Sequence, residues 1–190
     1  MASHDQIKKI LSDSEGRIPF FYLDTRGFPT IGVGHMVPNA DQARSLKLVV
    51  RNGMTAATSD QIVAEYNRIR QQTPGMLAQR YRPFTSLEMP DDVIDALLES
   101  DIASKEQDLL ARLPAFRTYP DEVCTALLDM GFNLGVNGLI TRFPKLIASV
   151  KARDWNTCAA QCRRNGISDA RNEATRELFL SALGVVKPTT

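Results

Sequence analysis

The sequence predicts a mostly helical α+β fold with two lobes joined by a long helix. Residues 19–35 are rich in aromatic and β-branched residues on either side of a turn, which is typical of a β-hairpin. Residues 90–113 carry apolar residues at both ends and polar residues in the middle, which favours a helix that is buried at each end and solvated between. After residue 120, apolar residues recur mainly at helical spacing.

Composition and charge argue for a globular protein and against a nucleic-acid-binding or membrane-spanning one. With 43% hydrophobic and 24% charged residues in 190, the chain has the composition of a globular protein with a sizeable core. The 23 basic and 22 acidic residues leave a formal net charge of +1, so no basic excess favours nucleic-acid binding. No apolar run reaches the roughly 20 residues of a membrane-spanning helix, and the N-terminus lacks the apolar segment of a signal peptide. We therefore expect no membrane insertion and no nucleic-acid partner.

Local signals predict the first helix and the hairpin. Ser3 and Gln6 have the spacing of a capping box, and apolar residues then recur at helical spacing, so a helix is expected over 4–14. Asp24 and Gly27 are favoured at the first and last positions of a type I turn, which places the hairpin turn there. The residues that follow the hairpin, up to residue 57, show little periodicity, and no element is predicted for them.

Caps and periodicity predict the later helices. Thr58 begins a helix that ends near residue 72, and Pro90 begins the long helix that ends near residue 113. The remaining helices are expected over about 123–134, from Pro144 to Val150, from Asp154 onward, and over 170–183.

Glu15 is the residue that most strongly suggests chemistry. Its spacing from Ile7 and Leu11 predicts that the carboxyl lies on the apolar face of the first helix, where we expect it to be partly desolvated. It also lies at the helix C-terminus, where the helix dipole disfavours an anion. Both effects favour the protonated carboxyl that a general acid requires, and Asp24 supplies a second carboxyl nine residues on. Alternatively, Glu15 is a frayed helix-end residue and Asp24 only forms the turn.

Three stretches of sequence resemble a known family. They are Glu15-Gly16, YLDTRG at 22–27 and TIGVGH at 30–35, and they resemble the lysozymes of glycoside hydrolase family 24, the T-even phage lysozyme type. In that family a catalytic Glu is followed after nine residues by Asp and after six more by Thr. Glu15, Asp24 and Thr30 reproduce this spacing without a gap.

The resemblance implies a single lysozyme domain over residues 1–190. Its expected parts are a small lobe over about 15–88, an interlobe helix over 90–113 and a helical lobe over 114–184, with the helix 4–14 packed on the helical lobe. Residues 126–143 resemble the family's central helix and the turn after it, and 171–179 resemble a late helix. Residues 40–88 are longer than in the T-even form, and we expect them to add a helix to the small lobe.

The resemblance also implies roles for individual residues. Glu15 is the general acid, Asp24 orients water and stabilises positive charge, and Thr30 is a hydrogen-bonding partner of that water. The residues expected to contact substrate are Asn133, Asp129, Arg171 and His35. Asp129 stands where the T-even form has an amide, and Arg171 matches a cationic position near the catalytic Glu.

Several residues have a structural as well as a functional interpretation. His35 is a candidate ligand or base, but a structural histidine that closes the hairpin strand is favoured. Cys158 and Cys162 share a helical face, yet zinc would need two more ligands, so core packing is favoured and no metal or cofactor is expected. Arg163-Arg164 is expected as a solvated helix end rather than a polyanion site.

The expected activity is hydrolysis of the β-1,4 bond between N-acetylmuramic acid and N-acetylglucosamine in bacterial peptidoglycan, with inversion at the anomeric carbon. The alternatives are a lytic transglycosylase, which forms an anhydro-sugar without water, and a catalytically silent peptidoglycan-binding module. The presence of Asp24 and Thr30 argues against the first, and the presence of both carboxyls and Thr30 in register argues against the second.

The biological setting is expected to be bacterial. Three cysteines are too few for a disulfide framework, which favours synthesis in the reducing host cytoplasm without a signal peptide, followed by action on the cell wall in the periplasm. A phage endolysin and an antibacterial effector both fit. We expect a monomer with bacterial peptidoglycan as its partner, and an immunity protein in addition if the protein is an effector.

Overall fold

The protein has a small antiparallel sheet near its N-terminus followed by a helical region, which confirms the predicted mostly helical α+β fold. The computed structural model describes residues 4–51 and 55–184, so the predicted cap at Ser3 lies outside the described residues. The chain divides into two compact units. We call residues 15–101 the sheet unit, and residues up to Ser14 together with those from Ile102 onward the helical unit.

Helices account for most of the regular structure. Their bounds are α1 His4–Glu15, α2 Ala40–Arg44, α3 Ser59–Arg70, α4 Asp91–Arg112, α5 Asp121–Leu134, α6 Val136–Arg142, α7 Pro144–Ala152, α8 Trp155–Gln161 and α9 Asp169–Ser181. Short 3₁₀ helices cover Ala78–Phe84, Phe116–Thr118 and Ala182–Gly184. The predicted bounds of α1, α3, α4 and α9 differ from the observed ones by no more than about two residues, which is the usual uncertainty of a helix end.

Three strands form the sheet of the sheet unit. They are β1 Ile18–Leu23, β2 Pro29–Gly32 and β3 His35–Met36, and they pair antiparallel in the order β1-β2-β3. Tyr22 lies opposite Thr30, and Thr30 lies opposite Met36, so the three side chains share one face of the sheet. The predicted hairpin is confirmed as β1 and β2, and β3 extends it by a short third strand.

The sheet packs on helix α3, which lies in the segment expected to add a helix. The Phe21 and Tyr66 rings meet edge to face, with centroids 6.0 Å apart and an interplanar angle of 76°. The Tyr66 hydroxyl donates a hydrogen bond to the carbonyl of Val37 at 3.2 Å. Thr58 caps α3 in a complete capping box, which confirms the predicted start of this helix.

A buried carboxylate links α3 to a second, two-stranded sheet. This sheet pairs β4 Val49–Val50 with β5 Leu87–Glu88. Glu65 is 1% exposed, and its Oε2 accepts hydrogen bonds from Ser86 N at 2.6 Å, Ser86 Oγ at 2.9 Å and Leu87 N at 3.1 Å. A buried carboxylate is costly without such donors, so Glu65 holds α3 and β5 together. The sequence does not predict α2, β4 or β5, because elements this short carry no periodic pattern.

Helix α4 supplies residues to both units. Its buried residues are Ile94, Leu98, Ile102 and Leu109, and Leu113 is buried just after its end. Residues 103–108 are all described, and none of them is buried. This distribution agrees with the predicted helix that is buried at its ends and solvated in its middle.

The helical unit is built around α5. Residues 123–131 of this helix are all buried, and α6 and α9 pack against it. Gly135 has a φ of +70°, a conformation that favours glycine and ends α5 directly before α6. Asp154 and Ser168 accept hydrogen bonds from the first turns of α8 and α9, close to where the sequence predicts these helices to start.

No single helix within residues 4–51 and 55–184 combines the length and the apolar composition needed to cross a bilayer. Helices α5 and α6 reach that length and composition only when they are counted together across the 100° bend between them.

We expect Glu65→Met to lower the free energy of unfolding by about 1–3 kcal/mol, because the substitution keeps the side-chain length but leaves the Ser86 and Leu87 N–H groups without their acceptor. Urea unfolding followed by circular dichroism measures the change. Glu177→Met, at an exposed position of α9, is the control and should shift the free energy by no more than about 0.5 kcal/mol. Equal losses in the two variants would contradict the role of Glu65.

Candidate active site

Asp24 is fixed by hydrogen bonds from both its backbone and its side chain. Its N–H donates to Phe28 O at 3.0 Å, and its carbonyl accepts from Gly27 N at 3.1 Å, which closes the turn between β1 and β2. Its Oδ1 accepts from the N–H groups of Arg26 and Phe28 at 2.9 and 2.8 Å, as Asp side chains do in turns. The other oxygen, Oδ2, lies 3.3 Å from Arg26 Nε. One carboxylate oxygen therefore shapes the turn, and the second is placed beside a guanidinium.

Thr30 is connected to Asp24 through the backbone of Phe28. Thr30 is buried, with 3% exposure, and its Oγ1 donates a hydrogen bond to Phe28 O at 3.0 Å. The N–H of the same residue, Phe28, donates to Asp24 Oδ1. Because the one hydroxyl proton of Thr30 is already used, this hydroxyl can only accept a hydrogen bond from a further partner.

Glu15 lies against the turn between β2 and β3. Gly34 in this turn has a φ of +69°, and a Cβ built on it would lie 3.6 Å from Glu15 Cγ and 3.7 Å from Glu15 Oε2. The positive φ favours glycine at this position. The turn backbone therefore approaches the Glu15 side chain closely. Glu15 itself is exposed at the end of α1, so the expectation that it shares the buried environment of Ile7 and Leu11 is wrong.

Arg17 fixes the chain two residues after Glu15. Its guanidinium donates to Asp95 Oδ1 at 2.7 Å, to Asp91 Oδ1 at 3.2 Å and to the Asp91 carbonyl at 2.8 Å. The hydrogen bond to Asp95 raises the pKa of Arg17, so its charge is retained. The sequence does not single out Arg17, because nothing in its local pattern pairs it with the start of α4.

Tyr22 is a candidate site residue to which the sequence analysis assigns no role. Burial, followed by the charges of Glu15 and Asp24, raises the pKa of Tyr22 to about 12. Both carboxyls therefore lie within electrostatic reach of this phenol, which also lies opposite Thr30 in the sheet. Its position two residues before Asp24, in the strand that leads into the turn, is the sequence signal that could have found it.

An exposed surface of mixed chemistry adjoins Asp24. Phe28 and Met36 are each 40% exposed. The guanidinium carbon of Arg26 lies 5.2 Å from the centroid of the Phe28 ring, and Arg26 Nη2 lies 3.7 Å from Met36 Sδ. This surface can contact both an apolar sugar face and an anionic group.

His35 pairs with a carboxylate of the same unit. Its Nδ1 lies 2.8 Å from Asp101 Oδ2 and 3.0 Å from Asp101 Oδ1, and because a carboxylate only accepts, the ring donates a hydrogen bond through Nδ1–H. The side chains of His35 and Asp101 are 23% and 24% exposed. The pair gives His35 a structural contact, but the residue lies in the third strand β3 and not at the end of the hairpin strand that the sequence analysis expects it to close.

Two arginines share one buried carboxylate in the helical unit. Asp129 Oδ2 accepts from Arg164 Nη2 at 2.6 Å and from Thr175 Oγ1 at 3.1 Å, and Asp129 Oδ1 accepts from Arg171 Nε and Nη2 at 2.9 and 2.8 Å. Arg164 is 2% exposed, so the expectation that it belongs to a solvated helix end is wrong. The charge of Asp129 offsets the cost of burying this guanidinium. Arg163 is exposed, as expected.

The predicted site residues fall into two groups. Glu15, Asp24, Thr30 and His35 belong to the sheet unit, whereas Asn133, Asp129 and Arg171 belong to the helical unit. Asn133 is exposed in the last turn of α5, one turn after the buried Asp129. The contacts of Asp129 are with Arg164, Arg171 and Thr175, which gives it a direct part in holding Arg171.

The cysteines are buried thiols. All three, Cys124, Cys158 and Cys162, are free and buried. Burial raises the pKa of Cys158 to about 12, so this thiol stays protonated and unreactive near neutral pH. Among the residues that the structure describes, no group of three or more His, Cys, Asp or Glu side chains is arranged to hold a metal ion.

Comparison with known proteins finds a distant similarity to a phage protein. The chain is similar to the pre-baseplate central spike protein Gp5 of Enterobacteria phage T4, with 26% identity over 153 residues. The similar region covers 77% of this chain and 22% of the spike protein, so the chain spans about a fifth of that relative's length. No protein-family model matches the chain. The similarity is consistent with a lysozyme-like, peptidoglycan-hydrolysing domain.

Tyr22 should make the protein less stable between about pH 10 and pH 12. The pKa of Tyr22 is about 12 in the folded protein, against about 10 for a tyrosine in an unfolded chain, so the unfolded state loses its proton first. Stability from this group is therefore complete below about pH 10 and is lost as the pH rises towards 12. Urea unfolding at several pH values from about 8 to 11.5 should show a steeper loss in the parent than in Tyr22→Phe. Parallel curves of stability against pH for the parent and Tyr22→Phe would contradict the raised pKa of Tyr22.

Proposed function

We propose that the protein is a muramidase that hydrolyses the β-1,4 bond between N-acetylmuramic acid and N-acetylglucosamine in bacterial peptidoglycan. The observation that carries this proposal is the joint bonding of Asp24 and Thr30 to the backbone of Phe28. A fixed carboxylate and a hydroxyl that can only accept, both bonded to the backbone of Phe28, are suited to hold one water molecule. The similarity to the phage spike protein supports the same class.

The hydrogen-bonding capacity of the two side chains determines how this water would bind. The Asp24 carboxylate accepts one proton of the water, and Thr30 Oγ1, whose own proton is bonded to Phe28 O, accepts the other. With both protons engaged, a lone pair of the water oxygen is left to attack the anomeric carbon. As the new C–O bond forms, the first proton passes to Asp24.

Glu15 would donate the proton that the leaving sugar requires. The bond between the anomeric carbon and the glycosidic oxygen breaks, the electron pair stays with that oxygen, and the proton of Glu15 neutralises it. The negative charge of Asp24 stabilises the positive charge that develops on the sugar ring. Water attacks the face opposite the leaving group, so the configuration at the anomeric carbon inverts.

The remaining predicted residues would act on substrate in different ways. Asn133 is an exposed amide that we expect to hydrogen-bond the glycan directly. Asp129 would act by holding the Arg171 guanidinium, since its own oxygens are taken by Arg171, Arg164 and Thr175. His35 would support the turn that lies against Glu15, through its bond to Asp101.

The two alternative functions make different demands on these residues. A lytic transglycosylase needs an acid but no bound water, so it gives no reason for an acceptor-only hydroxyl at Thr30 that shares the Phe28 backbone with Asp24. A silent binding module needs neither carboxyl. The bonding of Asp24 and Thr30 to one backbone residue favours hydrolysis over both alternatives.

The proposed setting is the bacterial cell wall. We propose that the protein acts on peptidoglycan as a monomer without nucleic-acid or membrane-inserted partners, after synthesis in the host cytoplasm and transfer to the periplasm. A phage endolysin and an antibacterial effector, the latter with an immunity protein, remain the two roles. The similarity to a pre-baseplate central spike protein suggests a third role, as a domain of a phage baseplate spike.

Glu15→Gln should lower peptidoglycan hydrolysis by at least about 100-fold, because the amide keeps the size of the side chain but has no acidic proton to donate. Mass analysis of the soluble fragments released from purified peptidoglycan measures the activity of the parent and the variant. Glu177→Gln, at an exposed position of α9, should retain the parent rate. Fragments of the parent with reducing muramic acid ends support the proposal, whereas anhydro ends or no release would refute it.

The first product of the parent enzyme should be the α-anomer. A water placed by Asp24 and Thr30 displaces the leaving group in one step, so a β-linked substrate gives an α-configured product. Proton NMR of the anomeric signals during the first turnovers, before mutarotation, measures this directly. A β-anomer as the first product would mean that Asp24 is a nucleophile and would exclude the water-holding role of Thr30.

A further inference from the structure

We infer that the loop 73–76 positions Asp24 for the proposed reaction. This inference rests on the proposed function, because it gives the loop a part in the same chemistry. The loop belongs to the segment 40–88, which is longer than in the T-even form and to which the family resemblance assigns no role. Contacts between the loop and the turn formed by residues 24–28, called here the Asp24 turn, carry the inference.

The first contact is a hydrogen bond to the backbone of Asp24 itself. The N–H of Gly75 donates to the carbonyl of Asp24 at 3.2 Å. The same carbonyl accepts from Gly27 N at 3.1 Å, and that bond closes the Asp24 turn. The carbonyl is therefore shared between the turn and a segment about fifty residues further along the chain.

The loop also packs closely against the turn. A Cβ built on Gly27 would lie 3.6 Å from both Cβ and Cγ of Pro74, and a Cβ built on Gly75 would lie 3.8 Å from the Cα of Thr25. Gly27 and Gly75 have φ values of +84° and +73°, which favour glycine at both positions. The two chain segments therefore meet through glycine backbones on each side.

A buried tyrosine holds the loop in this position. The Tyr81 hydroxyl donates to Thr73 O at 2.6 Å and accepts from Met76 N at 3.3 Å, so it bonds both ends of the loop. Tyr81 is fully buried in the 3₁₀ helix Ala78–Phe84, and this helix packs on β1. The loop is thus supported by the same sheet that carries the Asp24 turn.

The position of the Asp24 carboxylate follows from the position of this backbone. Because Oδ1 is bonded to Arg26 N and Phe28 N, the carboxylate moves with the turn. Thr25 and Arg26 are exposed, and exposed turns are ordinarily mobile. A displacement of about 1 Å at a reacting group can lower a rate about 100-fold, so restraint of the turn has a direct kinetic value.

Removal of the Tyr81 hydroxyl tests the inference. Tyr81→Phe keeps the buried ring but deletes both hydrogen bonds to the loop. We expect kcat on soluble peptidoglycan fragments to fall at least about fivefold with KM within about twofold of the parent, because the loop acts on the water-holding carboxylate and not on sugar binding. The matched control is Tyr66→Phe, which deletes an equally buried hydroxyl of the sheet unit and should retain the parent kcat.

Amide hydrogen exchange measured by NMR provides a readout that does not depend on activity. In Tyr81→Phe, the amides of Gly75, Arg26 and Phe28 should exchange at least about tenfold faster, while the amides that pair β1 with β2 keep their parent rates. Pro74→Ala changes an exposed residue and should move kcat and these amides in the same direction by a smaller factor. A general loss of stability would instead speed exchange throughout the sheet unit, and that result would overturn the inference.

A double-mutant cycle with Asp24→Asn separates the loop from other routes of action. If the loop acts through Asp24, adding Tyr81→Phe to Asp24→Asn should lower the residual kcat by less than about twofold. A further fivefold fall would overturn the inference. A parent without muramidase activity would refute the proposed function, whereas an active parent whose kcat and amide exchange are unchanged in Tyr81→Phe would refute only the role of the loop.

Discussion

The bonding of Asp24 to its own turn is the interaction on which the candidate site depends. Oδ1 accepts the N–H groups of Arg26 and Phe28, so the side chain that folds the hairpin also fixes where the carboxylate lies. The carbonyl of Phe28 in turn accepts a hydrogen bond from the Thr30 hydroxyl and so fixes the orientation of that side chain. Folding and proposed catalysis thus use different oxygens of one side chain, and this is physically possible because an ionised carboxylate offers about four acceptor positions.

Three carboxylates of this protein show how environment separates structural from chemical roles. Glu65 and Asp129 are each 1% exposed, and their oxygens are occupied by N–H, hydroxyl or guanidinium donors. Such groups stabilise the packing of their elements but have little capacity left for a substrate. Asp24 is 24% exposed, and its Oδ2 lies beside Arg26 Nε. It is the carboxylate of the three that both remains accessible and is held in place.

Local sequence signals predicted the elements that have caps and periodic apolar residues. The starts of α3 and α8 follow from Thr58 and Asp154, because a capping side chain acts within one turn of its own position. The hairpin follows from its strands and the turn at Asp24. The elements α2, β3, β4 and β5 were missed because they have between two and five residues, too few to show a period. The seven-residue helix α6 lies where the sequence analysis expected a turn after the central helix.

The sequence by itself determined the mostly helical α+β class, the main helices and the Glu15, Asp24, Thr30 spacing, since each of these is encoded by residues close together in the chain. Tertiary structure decided which charged groups are buried and what holds the Asp24 turn. From the sequence alone, Arg164 is expected to be solvated, but the fold brings it into contact with Asp129, 35 positions earlier, and buries both. The hydrogen bond between Gly75 and Asp24 likewise has no local signal in the sequence. It forms only because folding brings together two segments that are far apart in the chain.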